Sequence, residues 1–432
     1  MIEIKSNKEM INLSLIKQDQ SKLSLLAIII VIELVLGGSG RVITIGSFIS
    51  LRYFLFFIAV CYFVMKCFIN DFKIKNNLFY FDIMVFFFII FIAIAHGIFS
   101  GYELSNVIKS SQGYFYLLMY FPMSLLINNK KKSKKVYWLF INCSVILAII
   151  TFVIFLLFYL NHSLYYVFTP ILDDLNYGYI SLRGGLPAVF LKSSPLIAVS
   201  FILLLIQYIN LKTEKNYINI LKLIVLLFGI VSTMSMGLWI ATLIGVLLTI
   251  NLSKGKYKLL GLILVILLMG VSYYFLSDYI TTTIGARLSS NDSSFIIKYD
   301  QFFRLIKTWS KGLVFGNGFG IEITFMTELG SRAMINFELF WLQLLVNMGL
   351  IGFFVYIRLF IKSFYYTFKM RKKLNFEDSI QLKSLNIGLI VLIVISSVNP
   401  FLNNPIGIGY LIIVLSTISV YFKEKIIINT VI

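Results

Sequence analysis

Charged side chains are scarce in this chain, and acidic ones are the scarcest. Charged residues make up 13% of the 432 residues and hydrophobic residues 59%, whereas a soluble domain carries about 25% charged residues. A water-soluble core of this size has no use for so much apolar surface. The composition therefore excludes an ordinary soluble domain and indicates a protein whose solvent is lipid.

Proline, cysteine and histidine are also few. Six prolines fit long helices, which satisfy their own backbone groups in lipid. The apolar runs of about 15–25 residues lack two-residue alternation, which favours helices over a β-barrel. Cys61, Cys67 and Cys143 lie in or beside apolar runs and predict no disulfide framework. His96 and His162 are too few and too far apart to indicate a metal site.

The apolar runs predict an all-α polytopic integral membrane protein with about twelve transmembrane helices. The predicted spans are about 23–38, 47–69, 79–97, 112–128, 136–160, 188–210, 217–232, 238–252, 259–276, 337–357, 384–398 and 406–421. Residues 23–276 thus carry spans one to nine, and 337–421 carry spans ten to twelve. Residues 277–336 form the longest loop, and 161–187 form a second polar loop on the same side.

Basic residues set the predicted orientation. They crowd every second loop, and 27 of the 38 lie on the inner side if the end segments 1–22 and 422–432 are cytoplasmic. This satisfies the positive-inside rule. The net charge of +19 then matches an anionic inner leaflet, and no nucleic-acid partner is expected.

Arginine is distributed differently from lysine. A guanidinium binds phosphate or carboxylate through two hydrogen bonds and stays charged at any working pH. We therefore expect the outer side to bind an anionic group; the alternative is that arginines such as Arg52 only anchor helix ends at the interface. Six of the eight arginines lie on the predicted outer side, namely Arg41, Arg52, Arg183, Arg287, Arg304 and Arg332.

Residues 295–311, within the longest loop, predict an amphipathic helix. Such a helix is expected to lie on the outer leaflet, with its basic side toward water or a bound anion. The apolar side carries Phe295, Tyr299, Phe302, Ile306 and Trp309, and the opposite side carries Arg304, Lys307 and Lys311.

The segment after this helix holds a glycine-rich turn and an acid. The turn is Gly316-Asn317-Gly318-Phe319-Gly320, in which glycines allow the backbone to bend and present N–H groups to an anion. An ordinary flexible loop is the alternative. Glu338 begins predicted span ten, where an acid is costly without a partner or a role. We predict a general base there, the alternative being an interfacial carboxylate paired with Arg332; Glu33, inside span one, is predicted to be structural.

The second outer loop is rich in aromatic and acidic residues. Tyr177, Tyr179 and the pair Asp173-Asp174 precede Arg183. Sugars stack on aromatic faces and donate hydroxyl hydrogen bonds to carboxylates, so this loop is a candidate glycan site. Interfacial anchoring of the tyrosines is the alternative. Lys192, early in span six, is a candidate ligand for the same anion unless its side chain reaches the outer surface.

These features together resemble the superfamily of O-antigen polymerases and O-antigen ligases. The topology with its longest loop between spans nine and ten carries the resemblance, together with a set of motif residues. These are Arg304, Trp309, Gly316, Gly318, Gly320, Glu338 and Gly349-Leu350-Ile351-Gly352. The ligases typically carry a histidine at the position of Glu338, so the resemblance favours a polymerase.

The resemblance implies a membrane-embedded glycosyltransferase of the C type, inverting and metal-independent, with no cofactor. It implies an active site that faces the periplasm or cell exterior from the bacterial inner membrane. The expected partners are an undecaprenyl-diphosphate-linked oligosaccharide, membrane lipids and a chain-length regulator protein. A ligase or related capsule or exopolysaccharide transferase, and a flippase for lipid-linked oligosaccharides, remain alternatives.

The resemblance and the residue types together assign the roles. Glu338, Arg304 and Arg287 are the predicted catalytic residues, with no metal ligand. The predicted ligands of the diphosphate and glycan are Arg183, Lys192, Lys307, Lys311, Gly316, Gly318, Tyr177, Tyr179 and Arg332.

Overall fold

The computed structural model describes residues 23–69 except 41, 43 and 46–48, and then 77–183, 185–211, 217–252, 270, 293–327 and 330–431. Nearly all of predicted span nine lies outside the described residues, as do the long loop up to residue 292 and the first 22 residues. The predictions for Arg41 and Arg287 fall on residues that are not described.

The described residues are mostly helical. The helices in chain order are α1 (Leu25–Leu36), α2 (Leu51–Ile69), α3 (Tyr80–Phe99), α4 (Leu104–Phe115), α5 (Tyr120–Leu126), α6 (Lys130–Leu160), α7 (Tyr165–Asp174), α8 (Ser194–Asn210), α9 (Tyr217–Ser232), α10 (Met236–Leu252), α11 (Ser293–Trp309), α12 (Phe340–Met370), α13 (Phe376–Ser396) and α14 (Pro405–Val431). Short 3₁₀ turns occupy Tyr116–Met119 and His162–Leu164.

Six of these helices are long and apolar enough to cross a membrane: α2, α3, α6, α12, α13 and residues Pro405–Lys423 of α14. Shorter apolar helices coincide with α1, α8, α9 and most of α10. The chain is thus a polytopic helical membrane protein, as predicted from its composition. The total of twelve spans, the membrane side of each loop and the division into segments stay predictions.

Side-chain caps fix where several helices begin. Asn129 accepts a hydrogen bond from the Lys132 N–H at 2.9 Å and starts α6. Asn375 does the same for the Asp378 N–H at 2.8 Å and starts α13. Such caps satisfy N–H groups that have no partner within the helix. The lysine-rich start of α6 and the start of α13 also meet, because Lys134 pairs with Asp378 at 2.9 Å.

Helix α8 forms the centre of the core. Fifteen of its side chains, from Ser194 to Ile209, are buried, and α6, α9, α10 and α13 pack around it. A helix that is apolar on every side is stable only when other helices or lipid surround it completely. The start of α8, which directly follows strand Leu186–Leu191, therefore has a fixed place in the bundle.

Three antiparallel hairpins correct the all-α prediction. They are β1 (Thr44–Ile45) with β2 (Ile49–Ser50), β3 (Gly178–Arg183) with β4 (Leu186–Leu191), and β5 (Ile323–Thr327) with β6 (Gly330–Met334). Strand β4 was predicted as the start of span six, because a short apolar run does not distinguish a buried strand from a helix. Predicted span four is likewise divided, into α4, a 3₁₀ turn and α5.

Candidate active site

The hairpin β3–β4 is fastened at its base. Its Tyr177 hydroxyl donates to the Leu36 carbonyl at 2.9 Å, and the Tyr177 ring lies so close to Gly38 that a Cβ there would be 2.4 Å from it. The Lys192 ammonium donates to Asn176 Oδ1. Tyr177 therefore holds the hairpin against α1, and Lys192 joins the two chain segments at the base of the hairpin. Their roles in binding stay predictions.

The upper part of the hairpin presents an aromatic platform. Tyr179 is paired with Phe190 across the hairpin, and the two rings stack with centroids 5.4 Å apart. The Tyr179 side chain is 44% exposed, and Phe190 contacts Phe401 with ring centroids 6.5 Å apart. Ring faces of this kind suit the C–H face of a sugar, as the sequence predicted for Tyr179.

Arg183 ends strand β3 and is held from below. Its Nη1 donates to the Met234 carbonyl at 2.5 Å, in the turn between α9 and α10. The side chain is half-buried and also hydrogen-bonds the Tyr179 hydroxyl. One backbone acceptor and one phenol thus fix the position of the guanidinium at the end of the bundle that is predicted to face outward, which we call the outer end.

Glu338 lies between β6 and α12. One carboxylate oxygen pairs with Lys298 Nζ of α11 at 3.2 Å, and the two side chains are 42% and 28% exposed. The Glu338 N–H donates to the side-chain oxygen of Gln301 at 3.2 Å, and Gln301 is fully buried. The predicted alternative partner was wrong, because the carboxylate pairs with Lys298 whereas Arg332 lies exposed on β6.

Tyr179, Arg183 and Glu338 converge, although the first two lie more than 150 residues from the third. Burial raises the pKa of the Tyr179 phenol; the charge of Arg183 and its hydrogen bond lower that pKa, and the charge of Glu338 raises it. The phenol therefore lies within electrostatic reach of both a guanidinium and a carboxylate. This places a cation, an acid and an aromatic platform at one place on the outer end of the protein.

Helix α11 presents the predicted basic side, together with an acid that was not predicted to contribute. The Nε of Arg304 donates to both oxygens of Asp300, at 2.7 and 2.8 Å. Lys307 is exposed on the same helix, and Lys311 is exposed in the turn that follows it. Because Asp300 precedes Arg304 by one helical turn, it fixes one edge of the guanidinium.

The other sides of α11 divide between the core and the surface. Leu305 is fully buried and packs in a small cluster with Phe325 of β5 and Val346 of α12. Tyr299 and Phe302, on the predicted apolar side, are 58% and 43% exposed. The prediction that this helix lies on the outer leaflet stays a prediction, and its exposed aromatic side has the chemistry such a position needs.

The glycine-rich turn has a packing role. Helix α12 is interrupted at Gly349, whose φ is 63° and ψ −166°. The carbonyls of Val346 and Asn347 before the break accept hydrogen bonds from the Asn317 and Gly318 N–H groups at 2.7 and 3.2 Å. The Leu350 N–H after the break donates to the Leu313 carbonyl at 3.0 Å. The turn thus replaces the hydrogen bonds that the broken helix lacks.

This finding corrects the prediction that Gly316 and Gly318 present N–H groups to an anion. The Gly316 N–H donates to the Gly312 carbonyl at 2.9 Å, and the Gly318 N–H donates to the Asn347 carbonyl. Both glycines have positive φ, 77° and 85°. A Cβ on Gly316 would lie 2.6 Å from the Asn347 backbone, and one on Gly318 would lie 2.5 Å from Gly97 N. Glycine is required there for close backbone approach.

Several polar residues near the candidate site were not predicted from the sequence. A chain of side-chain amides links Asn336, Gln343 and Asn403, with Gln343 donating to Asn336 at 3.3 Å and accepting from Asn403 at 3.1 Å. Gln343 is fully buried in the apolar first turns of α12, and a polar residue at that position was a usable signal. Lys298, in contrast, carried no distinguishing pattern.

Comparison with known proteins gives one relevant match. No family model matches the chain. The chain is 24% identical over 388 residues to an O-antigen polymerase of Shigella flexneri, and the alignment covers 87% of this chain and 90% of that protein. The resemblance to O-antigen polymerases, predicted from motifs and topology, is confirmed by this relative.

Proposed function

We propose that this protein is a polysaccharide polymerase of the O-antigen type. It transfers a growing undecaprenyl-diphosphate-linked glycan to the non-reducing end of a lipid-linked repeat unit, at the outer face of the bacterial inner membrane. The convergence of Glu338, Arg183 and Tyr179 at the outer end of a membrane protein carries the proposal. Similarity along most of the chain to an O-antigen polymerase supports it.

The reaction needs an acceptor for a proton and cations for a leaving diphosphate. A hydroxyl oxygen of the acceptor sugar forms a bond to the anomeric carbon of the donor glycan. The bond from that carbon to the diphosphate oxygen breaks, and its electron pair leaves with the diphosphate. In this proposal the hydroxyl proton passes to the side chain of Glu338, which pairs with Lys298 Nζ at 3.2 Å.

The leaving diphosphate gains negative charge in the transition state. Positioned cations stabilise that charge more than they stabilise the bound substrate. Arg183 is fixed beside the Tyr179 hydroxyl, and Arg304 is oriented on α11 beside the exposed Lys307 and Lys311. We propose that these cations and Arg287 bind the diphosphate, so that no metal ion is needed. The acceptor hydroxyl attacks the anomeric carbon from the side opposite the diphosphate, which inverts the configuration at that carbon.

The test is the length distribution of surface glycan in a deletion strain complemented with variants. Wild type restores a ladder of chain lengths, whereas Glu338→Gln restores about a hundredth of the polymerisation rate or less, because it cannot accept the proton. Glu103→Gln is the matched control, because Glu103 is an exposed glutamate near the start of α4. Arg304→Ala is expected to shorten the ladder.

Each result is read against membrane protein level by immunoblot. Deletion should leave surface lipid capped with a single repeat unit, because export and ligation do not need the polymerase. A full ladder with Glu338→Gln would contradict the assigned base. Absence of any repeat unit from the surface lipid of the deletion strain would contradict a polymerase and favour a ligase or a flippase.

A further inference from the structure

A cavity lies apart from the arginines of the candidate site. It has a volume of about 310 Å³ and lies between α2, α4 and the loop that joins α13 to α14. The loop can approach α4 because residue 113 is glycine, since a Cβ there would be 1.9 Å from the Asn403 carbonyl oxygen. The size is in the range of small-ligand sites.

Amides and one cation dominate the polar lining of this cavity. Gln112, Asn336, Asn403 and Asn404 contribute amides, Lys109 contributes an ammonium and Ser110 contributes a hydroxyl. An amide both donates and accepts, which matches the hydroxyl groups of a sugar. Carboxylates do not occur among the lining residues, all of which belong to the described part of the chain.

The apolar lining is aromatic. Tyr53, Phe56, Phe115 and Tyr116 supply ring faces, and the Phe56 and Tyr116 rings stack with centroids 6.1 Å apart. Tyr53 is 55% exposed whereas Tyr116 is 7% exposed. The rings therefore run from the mouth to the floor of the cavity and suit the C–H faces of sugars.

The amide chain places this cavity near Glu338 along the sequence. Asn336 and Asn403 line the cavity and are bridged by the buried Gln343, at 3.3 and 3.1 Å. Asn336 precedes Glu338 by two residues, so their Cα atoms are no more than about 7 Å apart. A sugar seated against Asn336 would thus place its hydroxyl groups near the proposed base.

We propose that this cavity binds the terminal, non-reducing sugar of the acceptor glycan. This inference rests on the proposed function, which it deepens by separating acceptor from donor. The attacking hydroxyl belongs to a sugar that carries no diphosphate, so its site needs amides and ring faces instead of several cations. Lys109 favours an acceptor sugar that is neutral or carries one acidic group, rather than an amino sugar.

The test uses an acceptor that cannot act as a donor. The repeat-unit oligosaccharide is cut from the surface glycan of the producing strain and capped as an octyl glycoside. The donor is the lipid-linked repeat unit extracted from the deletion strain. Purified full-length protein is supplied with both, and only products that carry the octyl group are counted, as either substrate is varied.

The variants remove two exposed polar groups of the cavity, both of them on α4. The Lys109→Ala/Gln112→Ala double variant should raise the KM for the octyl glycoside about tenfold or more, because two polar contacts are lost. Its KM for the donor and its kcat should stay as in wild type, which also shows that it is folded. Ser105→Ala on the same helix and Lys372→Ala after α12 are the controls, with both KM values unchanged.

Three results would overturn the assignment. An unchanged KM for the glycoside would exclude the cavity as its site, and an equal rise of both KM values would indicate general distortion of the protein. If wild type adds no unit to the glycoside but lengthens the lipid-linked glycan, the acceptor is recognised elsewhere. If wild type lengthens neither substrate, the proposed function itself fails.

Discussion

Two acid–base pairs of this protein, both near the end predicted to face outward, differ in their surroundings. Glu33 and Arg52 are 5% and 4% exposed and pair at 3.0 Å, and Arg52 also donates to the carbonyl of Gly38 at 2.9 Å. Glu338 and Lys298 pair at 3.2 Å but are 42% and 28% exposed. The first pair is buried, and we call it the closed pair. The second pair is partly exposed to solvent, and we call it the open pair.

The comparison shows what separates a structural charge from one available for chemistry. Both acids occur in or beside an apolar segment, so the sequence signal is alike. The guanidinium of Arg52 is engaged by Glu33 and by backbone carbonyls, which corrects the expectation that it binds an external anion. Glu338 has one oxygen paired with Lys298 and a side chain that a substrate can reach.

The largest effect is expected from breaking the closed pair. Arg52→Leu should lower the free energy of unfolding by about 3–5 kcal/mol, because it leaves a buried carboxylate without its cation. Thermal unfolding of the purified protein measures this. The Glu33→Leu/Arg52→Leu double variant should recover most of the loss, since both charges are then absent. An equal loss in both variants would show that packing around Arg52, rather than the charge pair, is responsible.

Breaking the open pair should lower stability less than breaking the closed pair, and it should lower activity more. Lys298→Ala should change the free energy of unfolding by under about 1 kcal/mol, because exposed ion pairs contribute little. Polymerisation should fall about tenfold, because the carboxylate loses the cation that orients it. Lys298→Arg should keep most of the activity. If Lys298→Ala lowered the free energy of unfolding as much as Arg52→Leu, the two pairs would not differ in their contribution to stability.

The smallest effect is expected from the phenol that lies beside the open pair. Tyr179→Phe keeps the stack on Phe190 and removes the hydroxyl that Arg183 binds, so polymerisation should fall only a few-fold, as for one hydrogen bond. Tyr179→Ala should lose more, because the platform itself is removed.

The pH dependence of Tyr179 follows from the direction of its pKa shift. Burial raises the folded pKa above 10 despite the lowering effect of Arg183. The folded state therefore favours the neutral phenol, and this stabilisation is complete at neutral pH and is lost as pH rises through the raised pKa. The ratio of Tyr179→Phe to wild-type activity should stay constant between about pH 6 and 9. A ratio that changes there would show that the phenol ionises during function.

Much of the architecture was predictable because membrane helices obey local rules. Hydropathy predicted helices α2, α3, α6 and α12, and the predicted and observed boundaries agree within a few residues at the ends predicted to face outward. An amphipathic pattern predicted α11. Hairpin β3–β4 was not predictable, because the run Leu186–Leu191 has no period that distinguishes strand from helix. Its base is held against α1 by the hydrogen bond from Tyr177 to the Leu36 carbonyl, a contact between segments far apart in the sequence.

The candidate site was predictable as a set of residue types and not as an arrangement. Arg183, Tyr179 and Glu338 were each predicted as functional residues from their residue types and positions, but their convergence depends on how distant loops pack over α8. The glycine-rich turn was assigned to anion binding, yet its N–H groups complete the broken helix α12. A glycine-rich pattern predicts that the backbone bends, but it does not predict which groups the bent segment contacts.

The sequence by itself determined the solvent of this protein, the course of its helices and the resemblance to O-antigen polymerases. Composition and periodicity fix these properties because each segment must satisfy its backbone and its apolar surface locally. Only the tertiary structure decided which charges are closed and which are open. Burial and pairing are properties of the assembled chain, and Glu33 and Glu338 acquire different environments only when their partners, 19 and 40 residues away, fold against them.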